Sequence, residues 1–267
     1  MNGVQKAIKY AAIAFGIFLI VSIAGGLLSI LGFFHLLGDG DVLDTPRTYP
    51  IAQDVNSLEL DISAARLHIV QGDTFALESN LEKLEILQED GKLIIRESGK
   101  SWFSLGFDGA VTLTVPEDCV LEEARISTGA GEVRVDGLSA REVELSLGAG
   151  KAELQGLTVL DSGKLEGGAG KITMTQSNLH NFQVEMGVGT LDFSGSFTGS
   201  SALHCGVGSV EMNLAGSQED YTFSLEKGLG KISIAGESAS DGEVVGSGSN
   251  ALAVSGGIGS IRIDFTH

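Results

Sequence analysis

Proline, cysteine, aromatic and basic residues are all scarce in this chain, and each shortage excludes a class of protein. Three prolines among 267 residues do not fit a Pro-rich disordered chain. Two cysteines, Cys119 and Cys205, are too few for a disulfide framework. Only 17 Lys and Arg stand against 35 Asp and Glu, and the net charge of −18 repels phosphate backbones. We therefore expect no nucleic-acid partner.

Glycine is abundant instead, and much of it recurs in the motif Gly-x-Gly. The first glycines of seven such motifs are 19 to 22 residues apart, except for a last interval of 29 residues. A period of this length is typical of a repeat architecture. We number the repeats 1 to 7 in chain order; their motifs occupy residues 129–131, 148–150, 168–170, 187–189, 206–208, 228–230 and 257–259.

Apolar and polar residues alternate on both sides of each motif. In repeat 4, Val184 and Met186 precede the glycines, and Leu191 and Phe193 follow them. This alternation predicts two short strands with one buried face, joined at a glycine corner. One repeat cannot bury its apolar stripe alone, but stacked repeats can. The predicted fold class is therefore all-β: a β-solenoid, or β-helix-like stack, with coils of about 19–20 residues.

The glycines have a physical role at these corners. Where coils approach at the strand spacing of ~4.8 Å, glycine adds no Cβ and permits positive φ. The residue between the two glycines is apolar in every repeat, and we predict that it points inward. These middle residues are Ala130, Ala149, Ala169, Val188, Val207, Leu229 and Ile258.

The start of the chain differs from the repeats. Residues 11–37 carry no Asp, Glu, Lys or Arg, and the run is long enough to cross a bilayer as a helix. It exceeds the apolar core of a cleaved signal peptide, so an uncleaved span is favoured. Lys6 and Lys9 precede the run and Asp39 follows it, which predicts a single-pass cell-membrane protein with a cytoplasmic N-terminus. The predicted order is a short cytoplasmic tail (1–10), a transmembrane α-helix (11–37), an acidic linker (38–50) and an extracytoplasmic solenoid (51–267).

The predicted solenoid has two parts. Residues 51–116 alternate as strands do but lack Gly-x-Gly, and residues 117–267 contain the glycine repeats. Terminal repeats of a stack are expected to be atypical. We therefore interpret 51–116 as less regular first coils that blunt the first edge of the stack.

The pattern resembles a known family. A strand ending in Val111-Thr112-Leu113-Thr114-Val115-Pro116, followed by repeats such as Ser127-Thr128-Gly129-Ala130-Gly131-Glu132-Val133, is similar to a bacterial domain-of-unknown-function family described as a putative adhesin with β-strand repeats. The resemblance covers roughly residues 51–267 and rests on a structural repeat. It implies an envelope protein, often with a membrane anchor, and it carries over no functional residue.

No catalytic or metal-binding motif stands out. Gly-x-Gly lacks the third glycine and the following helix of a dinucleotide fingerprint. The five histidines show no metal-ligand spacing, and the acidic residues are spread along outward positions. We predict no enzyme, no metal and no cofactor.

Outward charges of adjacent coils are expected to lie side by side. Glu132 beside Lys151 would be a favourable opposite-charge pair. Asp192 beside Glu211 would be a like-charge pair, a candidate acidic ladder. It is either two solvated carboxylates or a weak contact for a cation or a basic partner.

An aromatic segment lies between the predicted strands of the first coils. Trp102, Phe103 and Phe107 occur where strand alternation stops. Aromatic side chains in a loop either cover an open end of the core or form an exposed contact patch for a partner.

Three functions remain open. The first is a membrane-anchored, extracytoplasmic, non-enzymatic adhesin or envelope scaffold, whose partner would be an envelope protein or a polysaccharide. The second is an envelope-sensing or regulatory subunit that acts through a separate membrane partner. The third is a β-helix carbohydrate-active enzyme, which the scattered carboxylates disfavour.

Overall fold

The computed structural model describes residues 42–98 and 109–266. Strands make up most of these residues and hydrogen-bond into one winding sheet. A 3₁₀ turn spans Gln218–Asp220. The strands are β1 (Val42–Tyr49), β2 (Ser57–Ile62), β3 (Arg66–Gly72), β4 (Ala76–Leu81), β5 (Leu84–Glu89), β6 (Lys92–Glu97), β7 (Ala110–Pro116), β8 (Val120–His180), β9 (Phe182–Thr198), β10 (Ser200–Ala215), β11 (Tyr221–Lys227), β12 (Lys231–Ile234), β13 (Glu237–Ser238), β14 (Val244–Gly246) and β15 (Asn250–Thr266).

The core consists of apolar columns that run along the stack. Val184 before the corner of β9 and Phe193 after it are both buried, as the alternation predicts. In the parallel register of β9 and β10, Val184 lies beside Leu203 and Phe193 beside Met212. Each inward residue therefore packs on its counterpart in the next coil, and the all-β, solenoid-like part of the predicted fold is borne out.

The fold class also included a transmembrane α-helix before the solenoid, and this part is wrong. No helix among the described residues is long and apolar enough to cross a membrane. The predicted span itself, residues 11–37, lies outside the described residues. Within the predicted linker, β1 pairs antiparallel with β4.

The repeats do not stack in chain order. β10 of repeat 5 pairs in parallel with β15, and β15 pairs on its other side with β11 and β12. Repeat 7 therefore lies between repeats 5 and 6. The interval of 29 residues makes this order reachable, because the chain leaves β12, forms β13 and β14, and returns one coil inward.

The other end of the stack shows the same exchange. The first coil of β8 pairs with β2 and β3, and these strands pair on their other side with β6 and β7. The coil built from β6 and β7 comes later in the chain than β2 and β3, yet it lies farther out.

Antiparallel strands cover both outermost coils. β5 pairs with β6 and β4 with β7 at one end, while β13 pairs with β12 and β14 with β11 at the other. An exposed edge of a parallel stack would offer its free N–H and C=O groups to another chain. These short strands occupy much of that edge.

The corners depend on backbone lying directly against backbone. Gly189 has φ +148°, and a Cβ at this position would overlap the carbonyl oxygen of Gly170 in the preceding coil. An L-residue is strained at this φ, and the neighbour is main chain that cannot rotate away. Only glycine fits here without moving the coil.

Substitution at this corner tests the close approach. Gly236 also has positive φ, but a Cβ there would meet nothing within 4 Å. Gly236→Ala should cost about 1–2 kcal/mol from backbone strain alone. Gly189→Ala should cost at least ~1–3 kcal/mol more, because the coil must shift to accept the methyl group. Urea unfolding of both variants measures the difference, and equal midpoints would contradict the account.

A half-buried ion-pair network joins the two outer coils of the N-terminal end. Glu59 of β2 accepts hydrogen bonds from Lys92 Nζ at 2.7 Å and from Arg96 Nη2 at 2.5 Å, both on β6. The bonds from Lys92 and then Arg96 lower the pKa of the Glu59 carboxyl from 4.5 to about 2. Because the folded pKa is depressed, the network stabilises the protein above the unfolded pKa, and this contribution is lost as the pH falls towards 2.

The pH dependence of one variant isolates this contribution. Glu59→Gln should lower the free energy of unfolding at pH 7, and the deficit relative to wild type should shrink between pH 5 and pH 2. Glu142→Gln serves as the control, since Glu142 is exposed and forms no ion pair in the described part of the chain. A deficit for Glu59→Gln that persists unchanged at pH 2 would show that the pKa is not depressed in the fold.

Candidate functional site

The corner residues face solvent, so the prediction that they point inward is wrong. Val188, Ile258 and Leu229 are 39%, 42% and 59% exposed. Each corner joins two strands whose nearest buried residues are an odd number of positions apart, five in repeats 2, 4 and 5, for example Met186 and Leu191, and seven in the others. Alternation cannot continue across an odd interval. The chain therefore turns around the core with its middle residue on the convex side.

These residues form one row along the stack. Val188 lies beside Val207 and Val207 beside Ile258 in the parallel register, and the N–H of Leu229 donates to the carbonyl oxygen of Gly257. We call this row the apolar ridge. At ~4.8 Å between coils it is about 29 Å long. In spatial order its residues are Ala130, Ala149, Ala169, Val188, Val207, Ile258 and Leu229, so the side chains enlarge towards the C-terminal end.

A trough runs beside the ridge on the outer face of the strands that precede the corners. It consists of two adjoining concavities, of about 530 and 390 Å³, which share Glu185 and His204. Gly187 and Gly206 line it and are covalently adjacent to ridge residues. Val244, which is 65% exposed, lines its far end. Val244 belongs to β14, which together with β13 covers the C-terminal end of the stack; we call these two strands the C-terminal cap.

The charged residues that line the trough are all acidic. Glu166 and Glu185 lie near its middle, and Glu226 and Glu243 lie near the C-terminal cap. Lys164 forms ion pairs with Glu166 and Glu185. Its Nζ lies 2.6 Å from Glu166 Oε1 and 3.3 Å from Glu185 Oε1. These bonds raise the pKa of Lys164. Lys164 offsets part of the negative charge at mid-trough.

The C-terminal end of the trough keeps its negative charge. Glu226 forms no ion pair with any described residue, and Glu243 accepts a hydrogen bond from the backbone N–H of Ser240 at 2.6 Å. Glu226 at this acidic end lies three residues before Leu229, the most exposed ridge residue. Negative charge and exposed apolar surface are therefore close along this part of the chain.

The candidate acidic ladder lies on a different face, among the strands that follow the corners. Asp192 and Glu211 are register neighbours. Lys171 Nζ lies 2.7 Å from Asp192 Oδ2, and Arg262 Nη1 lies 3.4 Å from Glu211 Oε1. The two carboxylates thus lie between two cations, an arrangement that favours a neutralised face over a cation site.

The other predicted charge neighbours pair within strands. Lys151 forms its ion pair with Glu153 two residues along its own strand, and Glu132 exerts a weaker attraction on it. Arg134 likewise bonds Asp136, whose pKa is lowered by His68 and Arg134. Two residues apart on one strand face is close enough for these side chains to meet.

Two further predictions concern the aromatic segment and metal binding. The aromatic segment with Trp102, Phe103 and Phe107 lies outside the described residues. Within residues 42–98 and 109–266, no group of three or more His, Cys, Asp or Glu side chains could hold a metal ion.

Sequence reasoning found the ridge residues but assigned them to the wrong side, and it missed the trough. The odd interval between buried positions, readable from the sequence, was the signal for the ridge. The trough has no comparable signal in the repeat pattern, because residues 242–244, which line its C-terminal end, lie outside the repeat strands.

The comparisons with known proteins concern the repeats. The family model described as Toastrack DUF4097 matches residues 55–251, which bears out the expected domain-of-unknown-function family. No curated protein matches the chain significantly.

Solved structures give distant likenesses. One is a putative cell adhesion protein from Clostridium sporogenes, with 13% identity over 83% of this chain and 99% of that chain, at a TM-score of 0.39. Another is a putative adhesin from Bacteroides fragilis, with 16% identity over 82% and 96%, at a TM-score of 0.38. A third is a putative lipid binding protein from Parabacteroides distasonis, with 17% identity over 84% and 98%, at a TM-score of 0.33. Likenesses this distant carry no argument about function.

Two valines of one repeat test the assignment of the ridge. Val184 is 1% exposed in the core, whereas Val188 lies on the ridge. Val184→Ser should cost about 2–4 kcal/mol, since it leaves a cavity and buries a hydroxyl. Val188→Ser should stay within about 0.5 kcal/mol of wild type. Thermal unfolding distinguishes them, and comparable losses would place Val188 in the core.

Proposed function

Given that the chain belongs to the Toastrack DUF4097 family, we propose that it is a non-enzymatic binding scaffold. In this proposal the rigid stack presents its corner to another protein of the bacterial cell envelope, as an adhesin or envelope scaffold does. The observation that carries the proposal is the apolar ridge, a row of apolar side chains beside the trough, in which Val188, Ile258 and Leu229 are exposed and Val207 is half-buried.

A surface that contacts only water would not be expected to carry a continuous row of apolar side chains such as the ridge. A soluble stack needs glycine at the corners, but the residue between the glycines is free to be polar. It is apolar in all seven repeats, and it is largest where the trough is most acidic. Contiguous apolar surface rimmed by polar residues is characteristic of protein interaction sites.

The backbone beneath the ridge supports this role. Each middle residue stands between two glycines whose main chain is pressed against the next coil. A partner would therefore meet a backbone already held in place, which lowers the entropic cost of binding. The regulatory alternative would use the same surface with a membrane protein as partner, and it stays a prediction.

Site-specific photocrosslinking tests the proposal. The full chain, with a photoreactive amino acid at Val188 or Ile258, is expressed in cells of the source organism and irradiated. We expect a discrete crosslinked protein at both positions. Asn213, exposed on the strands that follow the corners, is the matched control and should give none. Absence of a product at both ridge positions, or the same product at Asn213, would count against a binding role for the ridge.

A further inference from the structure

We propose that the trough binds an extended, basic segment of a partner protein, whose apolar side chains pack on the ridge. This inference rests on the proposed function and specifies the chemistry of its partner. Three features of the surface carry it: the sign of the charge, the lining of the trough and its length.

The sign of the charge favours a cationic partner. Four glutamates line the trough, and no Lys or Arg does. Lys164 is engaged by Glu166 and Glu185, which leaves Glu226 and Glu243 without a cationic partner in the part of the chain described. Complementary charges steer association and select partners. Lysine or arginine side chains above Glu226 and Glu243 would supply the missing countercharge.

The lining favours an extended backbone. At its C-terminal half the trough contains the small side chains of Ala202, Ser224, Ala253 and Ser255. Small side chains let a backbone approach the sheet closely. The trough crosses seven coils, from Ser127 in repeat 1 to Glu226 in repeat 6, or about 29 Å at the strand spacing. About nine residues of extended chain span that length, and alternate side chains of such a segment point to the ridge and away from it.

The same charge argues against a second copy of this chain as the occupant. The chain carries a net charge of −18, and two troughs facing each other would bring like charges together. The ridge is also narrow, one residue wide, whereas stable interfaces bury roughly 800 Å² on each partner. An extended segment lying along the open trough adds contact area that two convex corners cannot.

Synthetic peptides test this chemistry on the full chain. The probe is a nonapeptide of alternating Lys and Leu, compared with peptides that alternate Glu and Leu or Lys and Ser. Fluorescence anisotropy at about 0.15 M salt limits nonspecific attraction. We expect the Lys/Leu peptide to bind, the Glu/Leu peptide not to bind, and the Lys/Ser peptide to bind at least about tenfold more weakly, because it lacks the apolar contact.

Three matched variants locate the binding. Glu226→Gln with Glu243→Gln should weaken the Lys/Leu peptide at least about tenfold, as should Ile258→Ser with Leu229→Ser. Glu211→Gln with Asp264→Asn also removes two negative charges, but from the strands that follow the corners. This control variant should bind the peptide within about twofold of wild type. Glu226, Glu243, Ile258 and Leu229 are all exposed. A melting curve for each variant shows that it is folded.

Several results would overturn the inference. These are equal binding of the Lys/Leu and Glu/Leu peptides, no binding at all, equal weakening in the control variant, or a dimer in sedimentation that the ridge variant abolishes. Its failure is distinguishable from failure of the proposed function. A crosslinked partner at Val188 and Ile258 without a basic segment would sustain the scaffold while excluding this occupant.

Discussion

The rest of the structure depends on the contact between the main chains of successive coils at the glycine corner. A carbonyl oxygen of one coil occupies the space that a Cβ of the next would need, as Gly170 and Gly189 illustrate. Glycine at this contact lets the coils approach to the hydrogen-bonding distance at which the columns of Val184, Leu203 and their counterparts pack. The odd spacing of buried residues across the same corner turns the middle residue outward. The corner therefore governs both the packing of the core and the position of the ridge.

Much of the fold could be predicted from the sequence, because the period of glycine and the alternation of apolar residues report local geometry directly. Leu191, Phe193 and Met212 are buried as their phase predicts. Ala149 and Val188 were misassigned because apolar character was taken as evidence of burial, whereas the odd spacing across the corner decides their side. The order of the last repeats could not be deduced, since repeats 6 and 7 share the same phase and either could pair with β10. The transmembrane helix was inferred from hydropathy alone, and the described fold holds no such helix.

The two outer faces use charge in different ways. On the strands that follow the corners, cations flank the carboxylates, as Lys171 and Arg262 flank Asp192 and Glu211, and the paired charges offset each other. On the strands that precede the corners, Lys164 offsets the middle of the trough but not the end near the cap. An acidic protein can pair the charges on much of its surface and still concentrate unpaired negative charge at one place. That place lies where Glu243 and the cap strand β14 line the groove next to Glu226.

The exchange of repeats 6 and 7 has a consequence for biosynthesis. β15 is made after β11 and β12, yet both depend on it for their pairing to the rest of the stack. While the ribosome is still adding β15, repeat 6 and β10 both lack their native neighbour. The nascent domain then stays open until its last strand is made. That strand pairs with residues about 50 positions earlier, and contacts between residues far apart in sequence form slowly. A chaperone that shields strand edges would find its target in that interval, and a prematurely terminated chain would never leave it.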